Sequence, residues 1–154
     1  LSRSAHPSTV PSQLFKTANG WVLLMCQTPK FWTIFCEKVG REDWLSQEDF
    51  KDIAARRDNR AAVQEAIDGL FQTKDTDHWI DLLAGHVPIA PVYDVAEALD
   101  NPYVADVGMV ETLAHPEKPN GLRTLSNPIK LDGVRPAGAR APTMGEHTDE
   151  ILKR

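Results

Sequence analysis

The last aromatic residue of this 154-residue chain is Tyr103, and the 51 residues after it hold no Phe, Trp or Tyr. All four Trp (Trp21, Trp32, Trp44, Trp79) and all five Phe (Phe15, Phe31, Phe35, Phe50, Phe71) precede residue 80. Aromatic side chains supply much of a core's buried area, so the first two thirds can build a core of their own. The last third has to rely on a surface made by something else. The length suits a domain of about 100 residues with an extension, and the first residue is Leu1 rather than Met. Together these features predict part of a larger protein: one compact α/β domain and a tail that docks elsewhere.

Charge and hydropathy remove several function classes. A net charge of −5 leaves no basic face for nucleic acid. The one tight basic cluster, Arg56, Arg57 and Arg60, is interleaved with Asp58 and reads as a helix start. No apolar run approaches the roughly 20 residues needed to cross a bilayer, and the polar opening from Ser2 to Ser12 has no signal-peptide segment. The two cysteines, Cys26 and Cys36, lie in apolar stretches and read as small buried hydrophobes of a reducing compartment. A disulfide between them needs a geometry that sequence does not give. The default location is cytoplasmic.

Residues 1–13 read as a linker, with Pro7 and Pro11 discouraging helix. After a turn at Asn19-Gly20, the apolar run Trp21–Cys26 predicts a buried strand. Thr28-Pro29 gives an N-cap and a first-turn proline. Phe31, Phe35 and Val39 then follow at helical spacing, and Gly40 ends the helix. Asp58 or Asn59 caps a second helix with the stripe Ala62, Val63, Ala66, Ile67, Leu70 and Phe71. Asp75-Thr76 opens a third, carrying Trp79, Leu82 and Leu83 and closed by Gly85. The apolar segment 86–93 contains two prolines, which confine it to a sheet edge. Asp94 caps a helix through Leu99 that Asn101-Pro102 breaks or restarts. Six of the eleven prolines lie between Pro102 and Pro142. There, residues 107–113 and 122–131 predict strands joined by a turn containing Asn120-Gly121. Thr143 and Glu146 have capping-box spacing for a last helix near 146–152.

Self-contained chemistry is missing from the pattern. His78 and His86 flank a helix end, no Cys/His set has zinc-site spacing, and His147 beside Glu146 reads as an exposed or capping residue. No phosphate-cradling glycine loop occurs in a strand–helix setting, and there is no G-x-S-x-G elbow. The acidic pairs Glu42-Asp43 and Glu48-Asp49 sit in polar connections. Neither a metal nor a covalently bound cofactor is expected.

An ordered series of short elements covers nearly the whole chain: His6-Pro7-Ser8, Phe15-x-Thr17-x-x-Gly20-Trp21, Pro29-x-Phe31-Trp32, Arg57-x-x-Arg60, Trp79, Val87-Pro88-x-Ala90-Pro91-Val92, Asn101-Pro102 and Gly145-Glu146-His147-Thr148. This series resembles the C-terminal part of the class III CoA-transferases. They are the formyl-CoA transferase and CaiB/BaiF type, in a superfamily that also holds α-methylacyl-CoA racemase. The resemblance implies a Rossmann-like large domain built from the N-terminal half plus the extreme C-terminus, a small α/β domain joined by two linkers, and two chains interlocked as a homodimer. On that pattern residues 1–13 are the first linker and 14–93 the small α/β domain. Residues 94–154 are then the second linker and the segment returning to the large domain.

The same resemblance places the chemistry in the N-terminal half of the same protein, where an aspartate attacks the acyl-CoA thioester and forms a mixed anhydride. No Asp of this chain is assigned as nucleophile; Asp94, Asp100 and Asp132 read as caps and turns. The coenzyme A thioester is a substrate, with an organic acid as the other. The small domain overhangs the partner's active site in this family, so Val10–Gln13 and Gln27–Lys30 would line the acyl pocket, with Ser12, Gln13, Thr28 and Lys30 as substrate-proximal residues. Many relatives have an aromatic at the position of Ser12. Racemase-like members often have Glu directly before the proline, where this chain has Thr28. Racemisation needs acid/base groups flanking the α-carbon, so Thr28 favours transferase over racemase, and its plain alternative role is helix capping. The glycine-rich lid of formyl-CoA transferase has no counterpart. A non-catalytic interaction domain is the reading from another class. An isolated piece of this kind is expected to be inactive, and to expose an apolar patch carried by Val110, Leu113, Leu125, Ile129 and Leu131 or to lose order after about residue 104.

Overall fold

The computed structural model describes residues 3–153 of the chain, which divides into two compact units, Leu1–Tyr93 and Asp94–Arg154. The first unit is a three-stranded antiparallel sheet with helices: β1 (Ser12–Lys16), β2 (Trp21–Met25), α1 (Pro29–Lys38), a 3-10 turn (Glu42–Leu45), α2 (Ile53–Asp58), α3 (Arg60–Phe71), α4 (Thr76–Leu83) and β3 (Ile89–Pro91). The strand order is β1-β2-β3. β3 takes the edge, as its Pro91 and the Pro88 just before it require. β2 alternates as a half-buried strand should: Val22 and Leu24 are buried and Cys26 follows on the same side.

The β1–β2 turn is fastened to the helical layer. Thr17 N donates to Gly20 O (3.0 Å), Gly20 N to Thr17 Oγ1 (2.9 Å), and Thr17 Oγ1 lies 2.8 Å from Thr76 Oγ1 at the start of α4. A Cβ on Gly20 would stand 2.9 Å from Thr76 Oγ1, so only glycine lets the hairpin approach this closely. β1 was absent from the sequence pattern. Ser12 and Gln13, read as the end of a linker, are its first two residues and are both buried. Ahead of it, Leu14 N donates to Arg3 O (3.1 Å) and His6 N to Ser12 O (2.9 Å), so residues 3–6 run along the outer edge of β1.

The core follows the apolar stripes. α3 buries Val63, Ile67 and Phe71, α4 buries Trp79 and Leu83, and α1 buries Trp32, Phe35 and Cys36. Trp32 and Trp44 stack with centroids 5.9 Å apart, and Phe71 meets Trp79 edge-on at 4.9 Å. The Trp79 indole N–H donates to Phe71 O (2.8 Å), which satisfies the one polar atom the ring brings inside. Both cysteines are buried and free.

The second unit comprises α5 (Val95–Asp100), α6 (Pro102–Asp106), β4 (Val110–His115), β5 (Lys118–Leu125) and α7 (Thr148–Leu152). Asp94 and Glu97 form a capping box at α5, and Asn101 caps the restart at α6. The hairpin turn falls at Pro116-Glu117 rather than at Asn120-Gly121. Pairing slips between Leu113 and His115, so Ala114 alone faces Pro119, Asn120 and Gly121. Gly121 has φ +73° there, and its missing Cβ would stand 2.7 Å from Thr112 Cγ2. The Asn-Gly pair marks a bulge in this strand, since a glycine at positive φ serves G1-type bulges as well as the primed hairpin turns. At the other end, α7 starts only at Thr148, with no side-chain cap from His147. Glu146 instead accepts from Thr143 N (2.7 Å) and pairs with Arg140, closing a turn ahead of the helix. No described residue of this unit is buried: Val110 and Leu113 are half-buried, while Leu125, Ile129 and Leu131 are exposed.

Candidate functional site

The sequence places four substrate-proximal residues on two neighbouring segments, the start of β1 and the β2–α1 connection. Register explains their meeting: Ser12 pairs with Met25 and Gln13 with Leu24, so the residues just after β2 return beside the start of β1. Gln27 Nε2 donates to Ser12 Oγ across this junction at 3.4 Å. Gln13 is turned the other way. It shares the face of β1 that buries Phe15 and is 1% exposed. Its Nε2 has no hydrogen-bond partner among the described residues. Thr28 is extended (φ −119°, ψ 156°), and its hydroxyl accepts from Phe31 N at 3.3 Å, which is the capping role. Lys30, in the first turn of α1, is exposed. Ser12, Gln27, Thr28 and Lys30 therefore form one end of the unit, whereas Gln13 belongs to its interior.

Behind this end lies a residue whose role the sequence reading missed. Arg56, Arg57 and Arg60 read together as a basic cluster at a helix start; α3 begins at Arg60, but the three side chains have different surroundings. Arg57 is exposed beside Asp58 (2.9 Å). Arg60 donates to Pro7 O (2.9 Å). Arg56 is 1% exposed, donating through Nε to Val10 O (2.8 Å) and through Nη1 to Phe50 O (2.9 Å). Its guanidinium lies 4.6 Å from the centre of the Trp32 ring. It forms no ion pair among the described residues. Burial lowers the guanidinium from its ordinary pKa, opposed by Cys26, Cys36 and Asp52, yet an arginine stays protonated in a protein. A buried unpaired charge costs several kcal/mol. Carbonyl dipoles and the Trp32 π face offset part of that here. The signal was present in the spacing: Ile67, Val63, Arg60, Arg56 and Ile53 step by four, three, four and three, so Arg56 continues the apolar stripe of α3 back into α2.

Among the described residues, the remaining nucleophiles and titratable groups build no reactive centre. Burial pushes the Cys36 thiol up to about 12 and the Cys26 thiol higher still, which suppresses the thiolate. Among the described residues no group of three or more His, Cys, Asp or Glu is placed to hold a metal ion, and no helix is long and apolar enough to cross a membrane. A depression of about 410 Å³ on the outer face of α3 is lined by Gln64, Glu65, Asp68 and Gln72. Asp68 there is paired with Arg3, which leaves the Glu65 carboxylate, of the wrong sign for the phosphates of coenzyme A.

Residues 2–148 match the family model described as CoA-transferase family III, and the chain belongs to that family. It is 31% identical over 150 residues to the succinyl-CoA:mesaconate CoA-transferase of Haloarcula hispanica, covering 97% of this chain and 37% of that protein. It is 28% identical over 137 residues to the formyl-CoA:oxalate CoA-transferase of Rhodopseudomonas palustris, covering 88% and 32%. A CaiB/BaiF family protein from Brucella suis has the same fold over 97% of this chain and 38% of its own, with TM-score 0.77 and 25% identity. Rv3272 from Mycobacterium tuberculosis gives TM-score 0.76 at 23% identity, covering 90% and 39%. The chain thus spans about a third to two fifths of the length of the relatives it matches.

Proposed function

We propose that this chain is the C-terminal part of a CoA-transferase that moves CoA from an acyl-CoA to an organic acid. Residues 14–93 serve as the small domain, and 94–154 as the second linker and the segment returning to the large domain. What carries the reading is the family match across residues 2–148, together with relatives whose names all describe transfer between a CoA thioester and an acid. In the proposed reaction an aspartate of the N-terminal half attacks the thioester carbonyl. A C–O bond forms, the C–S bond breaks, and CoA leaves as the thiolate while the acyl group is held as a mixed anhydride. The CoA thiolate then attacks the aspartyl carbonyl of the anhydride, which releases the donor acid as its carboxylate and leaves an aspartyl-CoA thioester. The acceptor carboxylate attacks that thioester, expelling CoA thiolate and forming a second anhydride, and the thiolate attacks the acceptor's acyl carbonyl to give the new acyl-CoA and the free aspartate. This chain supplies the wall formed by Ser12, Gln27, Thr28 and Lys30 in an interlocked cytoplasmic homodimer. Dicarboxylic acids head the acceptor list, from the succinyl-CoA:mesaconate relative.

One observation favours transfer over racemisation. An acyl-CoA racemase needs a proton donor or acceptor near the α-carbon. At the position before Pro29 this chain offers only the Thr28 hydroxyl, which is engaged with Phe31 N. The test uses the full-length protein that carries this chain, incubated with succinyl-CoA and a panel of short mono- and dicarboxylic acids. New acyl-CoA species on chromatography are the expected result. Exchange of the α-proton with deuterated water, with no CoA transferred to any acid, would establish the racemase instead. The 154-residue chain alone is expected to turn over neither.

A further inference from the structure

We propose that Arg56 is a positioning residue for the acyl-binding wall, acting through the turn at residues 7–11; this rests on the transfer reading above. The carbonyls of Pro7, Val10 and Pro11 in this turn are held from outside it. Arg60 Nη2 donates to Pro7 O (2.9 Å), Arg56 Nε to Val10 O (2.8 Å) and Cys26 N to Pro11 O (2.9 Å). Within the turn, His6 Nδ1 accepts from Ser8 N and Thr9 N, each at 3.2 Å. The two arginines are 46 and 53 residues away from the carbonyls they hold, on α2 and α3. Arg56 is itself immobilised by Phe50 O and the Trp32 ring.

The turn leads straight into the proposed site. Ser12 follows Pro11, pairs with Met25 and receives Gln27 Nε2 on its hydroxyl. A shift of Val10 and Pro11 is therefore passed to Ser12 and Gln27, and through Gln27 to the start of α1 at Thr28. Only an arginine reaches both carbonyls at once. Its planar fork aims Nε and Nη1 at Val10 and Phe50 while its face lies on Trp32, a geometry one ammonium cannot reproduce. A hydrophobic residue of the same volume would avoid the cost of burying a charge. The charge is kept because no backbone N–H reaches Val10 O among the described residues.

The experiment measures the full-length enzyme with Arg56→Lys, Arg60→Gln and, as control, Arg57→Gln, whose side chain is exposed beside Asp58. Arg56→Lys is expected to raise KM for the acceptor acid about tenfold, with kcat within about threefold and inhibition by free CoA unchanged. Arg60→Gln, which leaves the core intact, raises the same KM in the same direction, and Arg57→Gln leaves it alone. Hydrogen exchange supplies a reading independent of turnover: amides of residues 8–13 exchange faster in Arg56→Lys than in the parent. A folded Arg56→Lys with parental KM for the acid, or parental KM in Arg60→Gln, overturns the proposal. So does exchange at residues 8–13 that matches the parent. A parent enzyme that transfers no CoA overturns the transfer reading itself, and is distinguished by failing before any substitution is made.

Discussion

Replacing Phe71 with Ala tests whether the stability of this chain resides in its first unit. The Phe71 side chain is fully buried, with ring centroids 5.7 Å from Phe15, 6.1 Å from Phe35 and 4.9 Å from Trp79. A core Phe→Ala change costs about 3–5 kcal/mol, from lost transfer energy and the cavity left behind. Three aromatic neighbours place this site in the upper half of that range, because such pairs add about 0.5–1.5 kcal/mol beyond area. The Trp79 indole N–H keeps its acceptor, since that acceptor is the backbone oxygen of residue 71. The expected loss is about 4 kcal/mol, against a total of roughly 5–14 kcal/mol for a unit of about 90 residues. Urea unfolding followed by tryptophan fluorescence reads this unit directly, because Trp32, Trp44 and Trp79 are all buried in it. The midpoint falls while the slope is unchanged. Leu125→Ala, at a residue 60% exposed, is expected to stay within about 0.5 kcal/mol. A loss below about 1 kcal/mol for Phe71→Ala, or an equal loss for Leu125→Ala, refutes the assignment of the core.

Glu146 is held well below the usual carboxylate range, at about 2, first by its hydrogen bonds from Arg140 and then by Thr143 N. Its depressed folded value means the turn's contribution is present above the ordinary value of 4.5 and is lost as pH falls toward 2. Carbon-detected NMR titration checks this, and Arg140→Ala is expected to return the carboxyl toward 4.5. Cys26 and Cys36 are expected to resist iodoacetamide at pH 8 in the native chain and to react fully in urea, because burial raises both thiols; rapid native labelling of either would contradict their placement. Gly121→Ala puts a Cβ 2.9 Å from Leu113 O at positive φ. The expected cost is at least about 1 kcal/mol, seen as faster amide exchange in β4 and β5 with no change in the first unit.

How far each element was legible depended on how local its cause is. Thr28-Pro29, Asp75 and Asp94 announce helix starts by side chains that satisfy orphan amides within three residues, and all three do so. The stripe of α3 and the edge position of β3 are likewise written in short-range pattern. β1 escaped because Ser12-Gln13-Leu14-Phe15-Lys16 alternates weakly, and two of its buried positions are polar. What buries Gln13 is the sheet partner and the helices above it, not a hydrophobic period. Asn120-Gly121 misled for a related reason: the dipeptide licenses positive φ, and only the pairing of Leu113 with Leu122 decides whether that φ makes a turn or a bulge.

The candidate site divides along the same line. Thr28 was legible as a cap, and the structure gives its hydroxyl that one bond. The junction of Ser12 with Gln27 depends on the register of a strand the sequence did not announce, so no local pattern could have paired them. Arg56 is the sharpest case. Composition groups it with basic neighbours, yet its place three residues after Ile53 and four before Arg60 puts it on the buried side of the helix. A charge on an apolar stripe, whose acidic residue at helical spacing, Asp52, is turned to capping Ala55 N, has to find carbonyls elsewhere. In this chain one is Phe50 O, and the other, Val10 O, belongs to a proline-bounded turn. Read that way, a misplaced arginine is a pointer to a distant stretch of backbone that needs holding. In this fold that stretch is the one that opens into Ser12.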